Sequence, residues 1–339
     1  MAWLTTAASV CALVACGSAA PARDPLAPAS APVASAAPVV KIGVALGGGA
    51  AKGFAHIGVI KMLEANGFAP VVVAGTSAGS VVGALYASGM DAFALQEKAV
   101  ALDETRIRDF QLSSGGLVLG QKLEDYVNEQ VRKQPLERLA KPFVAVATRL
   151  EDGERTVFAR GNTGQAVRAS SSVPGVFQPV AIGRHHFVDG GVVSPVPVDA
   201  ARQLGADIVV AVDISSKARG QTPSGMLGTL SQSIAIMGQK LGQAELARAD
   251  VVVRPQVLDI GATDFAQRAN AILEGEKAAL AVMPQLRERV ARLQAERAQA
   301  ARLVQQQAAQ AQHRACLEQR SRLQKIAGMA GLDGSCATP

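Results

Sequence analysis

Aromatic residues are scarce in this chain: Phe, Tyr and Trp make up 4% of its 339 residues, with a single Trp. That excludes the aromatic stacking platforms with which proteins hold single-stranded nucleic acid. Charge is also thin, 18% against 49% hydrophobic residues, so most of the chain must pack into a core. The net charge of +6 is not spread over the molecule. Between Gln285 and Lys325 nine Lys/Arg face three Glu, so the tail carries the whole excess and the remainder is neutral. Histidine is nearly absent too, limited to His56, His185, His186 and His313. The longest apolar stretch near the start, Ala7 to Ala15, is too short to cross a bilayer as a helix.

That stretch reads instead as an export signal over residues 1–15. It ends in Leu13-Val14-Ala15-Cys16-Gly17, similar to a bacterial lipoprotein processing site in which Cys16 becomes the lipidated first residue, although no Lys or Arg precedes it. From Gly17 to Pro38 the chain is nearly all Ala, Pro and Ser, a composition that cannot bury a core and serves as a tether, so residues 16–38 form one anchoring unit. Gly17 and Ser18 lack the Asp that often marks inner-membrane retention. The expectation is a cell-envelope protein, lipid-anchored at the outer membrane or periplasmic face. Export would permit a disulfide between Cys316 and Cys336, closing a loop of about 20 residues and contributing roughly 3 kcal/mol; two unpaired thiols are the alternative.

The globular part begins at Val39. Residues 39–46 and 70–74 read as buried strands, each followed by a glycine-containing turn and an apolar-periodic helix, at about 54–65 and 78–87. Strand, helix, strand, helix at this spacing gives a parallel sheet with crossover helices. Further strands are predicted at 143–148, 156–159, 208–213 and 251–254, with helices at 121–132, 198–204 and 227–248. The expected division is an α/β domain over 39–284 and a basic helical extension over 285–339. A heptad seam through Val290, Leu293, Ala300 and Val304 is broken by Arg297, which argues against a coiled coil.

Three motifs carry chemistry. Gly75-Thr76-Ser77-Ala78-Gly79 places a serine where a Val-rich strand turns into a helix, a turn that lifts Oγ above the sheet edge. The pattern alone is weak, and Ser77 as a plain helix N-cap is its bland alternative. Gly47-Gly48-Gly49-Ala50-Ala51-Lys52-Gly53 also joins a strand to a helix, and its amides would form an anion nest with Lys52 adding positive potential. It is neither a dinucleotide loop, because its glycine register is off and no acidic ribose ligand follows, nor a Walker loop. Asp189-Gly190-Gly191 follows the apolar pair Phe187-Val188. An α/β-hydrolase triad needs a histidine after the acid, and only His313 in the charged tail satisfies that order. The remaining choices are Asp189 acting directly on Ser77, or His185 or His186 as base, and an Asx-Gly turn without catalytic meaning. His56, on the first helix, reads as a packed or surface residue.

In this order and spacing these motifs resemble the bacterial patatin-like phospholipases, and Ala169-Ser170-Ser171-Ser172-Val173-Pro174-Gly175-Val176-Phe177-Gln178-Pro179 is similar to that family's Ser- and Pro-containing block. The resemblance covers about Val39 to Arg254. It implies a three-layer α/β/α fold with a mainly parallel central sheet, to which this chain adds its helical tail. It also implies lipid acyl hydrolysis, of phospholipase A or lysophospholipase type, by a dyad of Ser77 as nucleophile and Asp189 as base. Gly47, Gly48, Gly49 and Ala78 would supply the oxyanion hole, with Gly53, Gly75, Gly79, Gly190 and Gly191 shaping the turns. Lys52 stands where the family often has Arg. No cofactor and no metal is expected, and the partners implied are a phospholipid or other acyl ester and a membrane reached through the lipid anchor, with no nucleic acid and the oligomeric state open. Rival readings are an acyltransferase or thioesterase using the same nucleophile, and a non-catalytic lipid-binding lipoprotein whose basic tail does the work.

Overall fold

The structure is a computed structural model that describes residues 39–107, 109–113, 116–216, 224–327 and 336. The signal segment, Cys16 and the tether through Pro38 lie outside the described residues. In chain order the strands are β1 (Ile42–Leu46), β2 (Val72–Thr76), β3 (Phe110–Ser113), β4 (Gly116–Val118), β5 (Phe143–Arg149), β6 (Arg155–Phe158), β7 (Val180–Ile182), β8 (His185–Asp189), β9 (Ile208–Val212) and β10 (Val251–Val253). The helices are α1 (Ala55–Ala65), α2 (Ala78–Ala87), α3 (Ala92–Val100), α4 (Gln121–Gln130), α5 (Thr163–Ser170), α6 (Val198–Gln203), α7 (Gly225–Leu246) and α8 (Arg268–Ala327).

The main sheet runs β10-β9-β1-β2-β5-β8-β7, with β6 also paired to β5. The five strands from β10 to β5 are parallel; β8, β7 and β6 add antiparallel partners at one side. Parallel strands covered on both faces must be apolar at every position, and β1, β2 and β9 are buried at every residue. Alternate residues divide between two cores. Ile42, Val44 and Leu46 of β1 join Val73, Ile208 and Val210 on the face covered by α1, α2 and α8. Ala45, Val72, Ala74 and Val209 face α6 and the end of α7. A mixed, mostly parallel sheet between two helical layers is the α/β/α architecture predicted.

Chain direction explains where a site can form. From β1 the chain moves through α1 to β2 and on to β5, then returns across β1 to β9 and β10. The order reverses between β1 and β9, so the loops leaving the carboxyl ends of these two strands part there, the position at which open α/β sheets leave a crevice, and the β2 loop lies beside it.

The basic extension is not separate from the domain. α8 runs without interruption through the expected boundary at 284/285, about 90 Å in all at 1.5 Å per residue. Its first half closes one layer: Ala271, Ala279, Met283, Leu286 and Val290 are in the core. Gly58 of α1 and Gly275 of α8 let the two backbones touch, since a Cβ on Gly58 would lie 2.0 Å from the Ile272 carbonyl oxygen and one on Gly275 would lie 2.0 Å from that of Ala55. Arg297, which interrupts the heptad seam, has a partner in the domain: its guanidinium bonds Asp207, just before β9. Val290 and Leu293 pack on the domain rather than on a second helix, while Val304 is exposed. Near its end α8 carries Cys316, whose sulfur lies 2.02 Å from that of Cys336.

Candidate active site

Ser77 stands between β2 and α2 with φ 53° and ψ −124°. A positive φ is strained for any residue bearing a Cβ, and such strain persists only where the surroundings enforce it. Here they are specific. The Ser77 amide donates to Ser170 Oγ at 3.0 Å, and Ser170 Oγ in turn donates to the Val146 carbonyl of β5 at 2.5 Å. Thr76 Oγ1 donates to the Ser194 carbonyl at 2.8 Å. Behind the turn, α2 presses against the end of β1 so closely that a Cβ on Gly79 would lie 2.1 Å from the Leu46 carbonyl oxygen. Gly75 and Gly53 fill comparable contacts, against Gly79 and Ala78.

Asp189 ends β8, which reaches Ser77 by pairing with β5. Gly190 allows that approach: a Cβ there would lie 2.1 Å from the Val146 carbonyl oxygen. The Asp189 amide donates to the Ser172 carbonyl at 2.8 Å, and Asp189 Oδ1 accepts the Gly191 amide at 2.7 Å. Oδ2 is buried and has no hydrogen-bond partner among the described residues. Burial pushes the Asp189 carboxyl up to about 6, against the opposing pull of the Ser77 hydroxyl and the Gly191 amide. The Ser77 hydroxyl is thus near enough to favour the ionised carboxylate, but the pair is not closed into a full hydrogen bond. Before substrate binds, catalytic hydrogen bonds are commonly long.

The glycine loop lies over Ser77, with a Cβ on Gly48 destined to sit 3.1 Å from that of Ser77. Its amides are not all available. Gly47 donates to the Val212 carbonyl at 3.1 Å and Gly48 to that of Pro195 at 3.0 Å, so neither is a free oxyanion donor in this state. These two hold the loop to its neighbours. The amides of Gly49 and Ala78 have no partner among the described residues and remain the donors available. Lys52 is also differently employed. It is buried, and its Nζ donates to Ser216 Oγ at 2.6 Å, fixing a segment that walls the cavity rather than forming that wall itself.

The histidines divide as their surroundings dictate. His185 and His186 stand at the far end of β8, three to four residues from Asp189, or roughly 10–13 Å at 3.3 Å per residue. His186 Nδ1 lies 3.0 Å from Glu151 Oε1 at the exposed end. His56 is fully buried, its pKa lowered to about 4 by burial, and its Nε2 donates to the Gly47 carbonyl at 2.8 Å. It therefore stays neutral and braces the glycine loop. Sequence reasoning had left it without a role, as it had Ser170, Ser172 and Glu245. The run Ser170-Ser171-Ser172 is a signal for Ser170 alone, since Ser172 acts through its main-chain carbonyl. Ser170 holds the nucleophile's amide while Ser172 holds that of Asp189, so one short segment brackets both residues.

Above Asp189, and beside the Gly48 and Ala78 that adjoin Ser77, opens a cavity of about 570 Å³. Gly49, Ala78 and Asp189 form its polar base, and Phe54, Val82, Leu123, Val173, Phe177 and Phe265 are among its apolar walls. Such a space suits a hydrocarbon chain whose one polar group sits at the bottom. Among the described residues no cluster of three or more His, Cys, Asp or Glu is placed to hold a metal ion.

Comparison with known proteins agrees with this geometry. An NTE family protein of Mycobacterium bovis is 36% identical over 182 residues, which is 53% of this chain and 51% of that protein. The chain thus spans about half the length of that relative. Lysophospholipase NTE1 of Pyricularia oryzae is 28% identical over 279 residues, 73% of this chain but 19% of the fungal protein. Among solved structures, VipD from Legionella pneumophila shares the fold with a TM-score of 0.50 at 15% identity, covering 72% of this chain and 67% of VipD. Residues 44–202, spanning the glycine loop, Ser77 and Asp189, match the family model described as patatin-like phospholipase. Residues 44–202 of this chain thus form a domain of the patatin-like phospholipase family.

Proposed function

We propose that this protein is a lipid acyl hydrolase, of phospholipase A or lysophospholipase type, working through a dyad of Ser77 and Asp189. The observation that carries the reading is the pairing of a strained serine with a buried carboxylate whose second oxygen has no partner among the described residues, the carboxylate lining an apolar cavity. A carboxylate is ordinarily too weak a base to activate a serine near neutral pH; burial that brings Asp189 to about 6 narrows the gap. Ser77 Oγ attacks the ester carbonyl as its proton passes to Asp189 Oδ2. The amides of Gly49 and Ala78 receive the oxyanion, aided by the N-terminal end of α2. Asp189 then protonates the departing alcohol. Water, deprotonated by the same carboxylate, releases the fatty acid from the acyl-enzyme.

The test is a panel of phospholipid, lysophospholipid and acyl-thioester substrates with wild type, Ser77→Ala and Asp189→Asn. Both variants should fold and lose ester hydrolysis by at least a thousandfold, and a fluorophosphonate probe should label Ser77 alone. Full activity in either variant refutes the dyad. We further propose that Cys16 is lipidated and tethers the domain to the envelope through residues 17–38. Incorporation of labelled fatty acid that survives Cys16→Ser would overturn that anchor.

A further inference from the structure

α7 has two unlike faces. Ile234, Ala235 and Gly238 line the cavity, and Gly242, Glu245 and Leu246 are buried against the domain. On the other side Met237 is 56% exposed, with Leu230 and Leu241 also open to solvent; Ile236, 46% exposed, lies about 100° further round. At 100° per residue, Leu230, Met237 and Leu241 fall within one arc of about 40°, immediately beside Ile234. Apolar surface thus passes without a break from the cavity wall to the outside. Val176, which lines the cavity and is itself exposed, is a second apolar residue at its rim. Charge is as telling: over residues 225–244 the only charged side chain is Lys240. A 20-residue stretch of surface helix with four large exposed apolar side chains, three of them in one arc, and one cation is unlike the charged solvent faces of ordinary surface helices. It matches an interface of acyl chains beneath phosphate groups.

We propose that the outer face of α7 is the surface by which this protein docks on a glycerophospholipid bilayer, bringing the cavity mouth against the lipid from which an acyl chain enters. The inference rests on the lipid acyl hydrolase reading for its purpose, but the surface itself is independent of catalysis. The helix is also fixed to the chemistry. Glu245, at its inner end, accepts Ser194 Oγ and the Val196 amide. Between those two residues the Pro195 carbonyl accepts the Gly48 amide, and the Ser194 carbonyl accepts Thr76 Oγ1 next to Ser77. A surface engaged by α7 is therefore held at a set distance from the nucleophile.

The experiment uses the full chain carrying Cys16→Ser, so that no lipid anchor contributes, and Ser77→Ala, so that no lipid is consumed. Sedimentation with vesicles of phosphatidylglycerol and phosphatidylcholine should show partitioning. Adding Met237→Gln and Leu241→Gln, neither of which lines the cavity, should weaken it by on the order of tenfold or more, given the apolar surface withdrawn. With Ser77 restored, the same pair should cut hydrolysis of vesicle phospholipid by a similar factor while leaving hydrolysis of a monomeric short-chain ester within about twofold. Equal partitioning of parent and double variant overturns the docking surface whether or not any ester is cleaved. Loss of a concentration-dependent dimer in the variant, with partitioning intact, overturns it in favour of a second copy of the chain. Absence of hydrolysis by wild type, with partitioning lost in the variant, would sink the enzyme reading and leave the docking surface standing.

Discussion

Replacing Asp189 by Asn should stabilise the folded protein, and by an amount that depends on pH in a stated way. Asp189 has an ordinary carboxyl value of 3.8 when the chain is unfolded and about 6 in the folded state, because it is buried. A rise of about 2 units corresponds to roughly 3 kcal/mol, at about 1.4 kcal/mol per unit. Its sign follows from proton binding: between pH 4 and 6 the folded protein holds this proton more tightly than the unfolded chain does. Rising pH through that window therefore costs stability, and above pH 6 the whole penalty for burying the charge is present. Below about pH 4 it is absent. Asn cannot ionise, so Asp189→Asn escapes the penalty. It keeps an oxygen to accept the Gly191 amide, and its –NH2 occupies the place of the unpartnered Oδ2. An unsatisfied amide donor costs about 1 kcal/mol at every pH, a constant offset that does not alter the slope. Urea unfolding of wild type and variant at half-unit steps from pH 4 to 8 measures the difference, in which the titrations of all other groups cancel. The variant should gain about 3 kcal/mol relative to wild type across that range, net roughly 2 at pH 8, while losing activity. A difference that stays flat from pH 4 to 8 would refute the buried, raised carboxylate and with it the account of how this base is tuned.

The same carboxylate should give kcat/KM an acid limb with an apparent pKa near 6, falling about tenfold per pH unit below it, as a pH–rate profile on a soluble ester would record. Ser170→Ala removes the acceptor of the Ser77 amide and leaves the Val146 carbonyl unpaired, so it should cost about 1–3 kcal/mol of stability and lower kcat more than it raises KM. Ser170→Thr, which restores the hydroxyl, should recover part of both. Gly79→Ala should abolish activity and lower the melting temperature, because its Cβ would meet the Leu46 carbonyl oxygen 2.1 Å away. His56→Leu removes the donor to the Gly47 carbonyl, and a kcat loss without any shift of the acid limb would mark His56 as a brace and not a base.

Much of the fold could be read because parallel strands buried on both faces declare themselves as unbroken apolar runs. The strands predicted at 39–46, 70–74, 143–148 and 208–213 all overlap strands of the sheet, at 42–46, 72–76, 143–149 and 208–212. What escaped was short or depends on partners. β7 is three residues long, and only pairing with β8, itself held by β5, makes it a strand. α5, only eight residues long, is defined by the Asn162 cap and by packing. The boundary at 284/285 followed composition, since Ala, Gln and Arg become frequent there, but burial follows contacts: Leu286 and Val290 sit in the core because α1 meets α8 at paired glycines. Likewise Arg297 looks like a flaw in a heptad until Asp207, ninety residues earlier, is placed beside it.

The site shows the same division between what a motif announces and what only packing assigns. Ser77 and Asp189 are recognisable from their flanking glycines, because close approach of backbones at Gly79 and Gly190 leaves no room for a Cβ. The division of labour among amides is not recognisable. Four residues were expected to serve the oxyanion, yet the strand-end carbonyl of Val212 and the loop carbonyl of Pro195 claim the Gly47 and Gly48 amides. A glycine run offers several donors; which remain free depends on carbonyls more than a hundred residues downstream. The same holds for Lys52, whose spacing promised a charge beside the anion but whose Nζ meets Ser216. Sequence motifs locate the reacting atoms here because those atoms require particular residue types. The groups that orient them use backbone atoms and common side chains, and so leave little trace in composition or spacing. Ser170 is the intermediate case: a serine among three in a row, singled out only when its oxygen is found between the nucleophile's amide and β5.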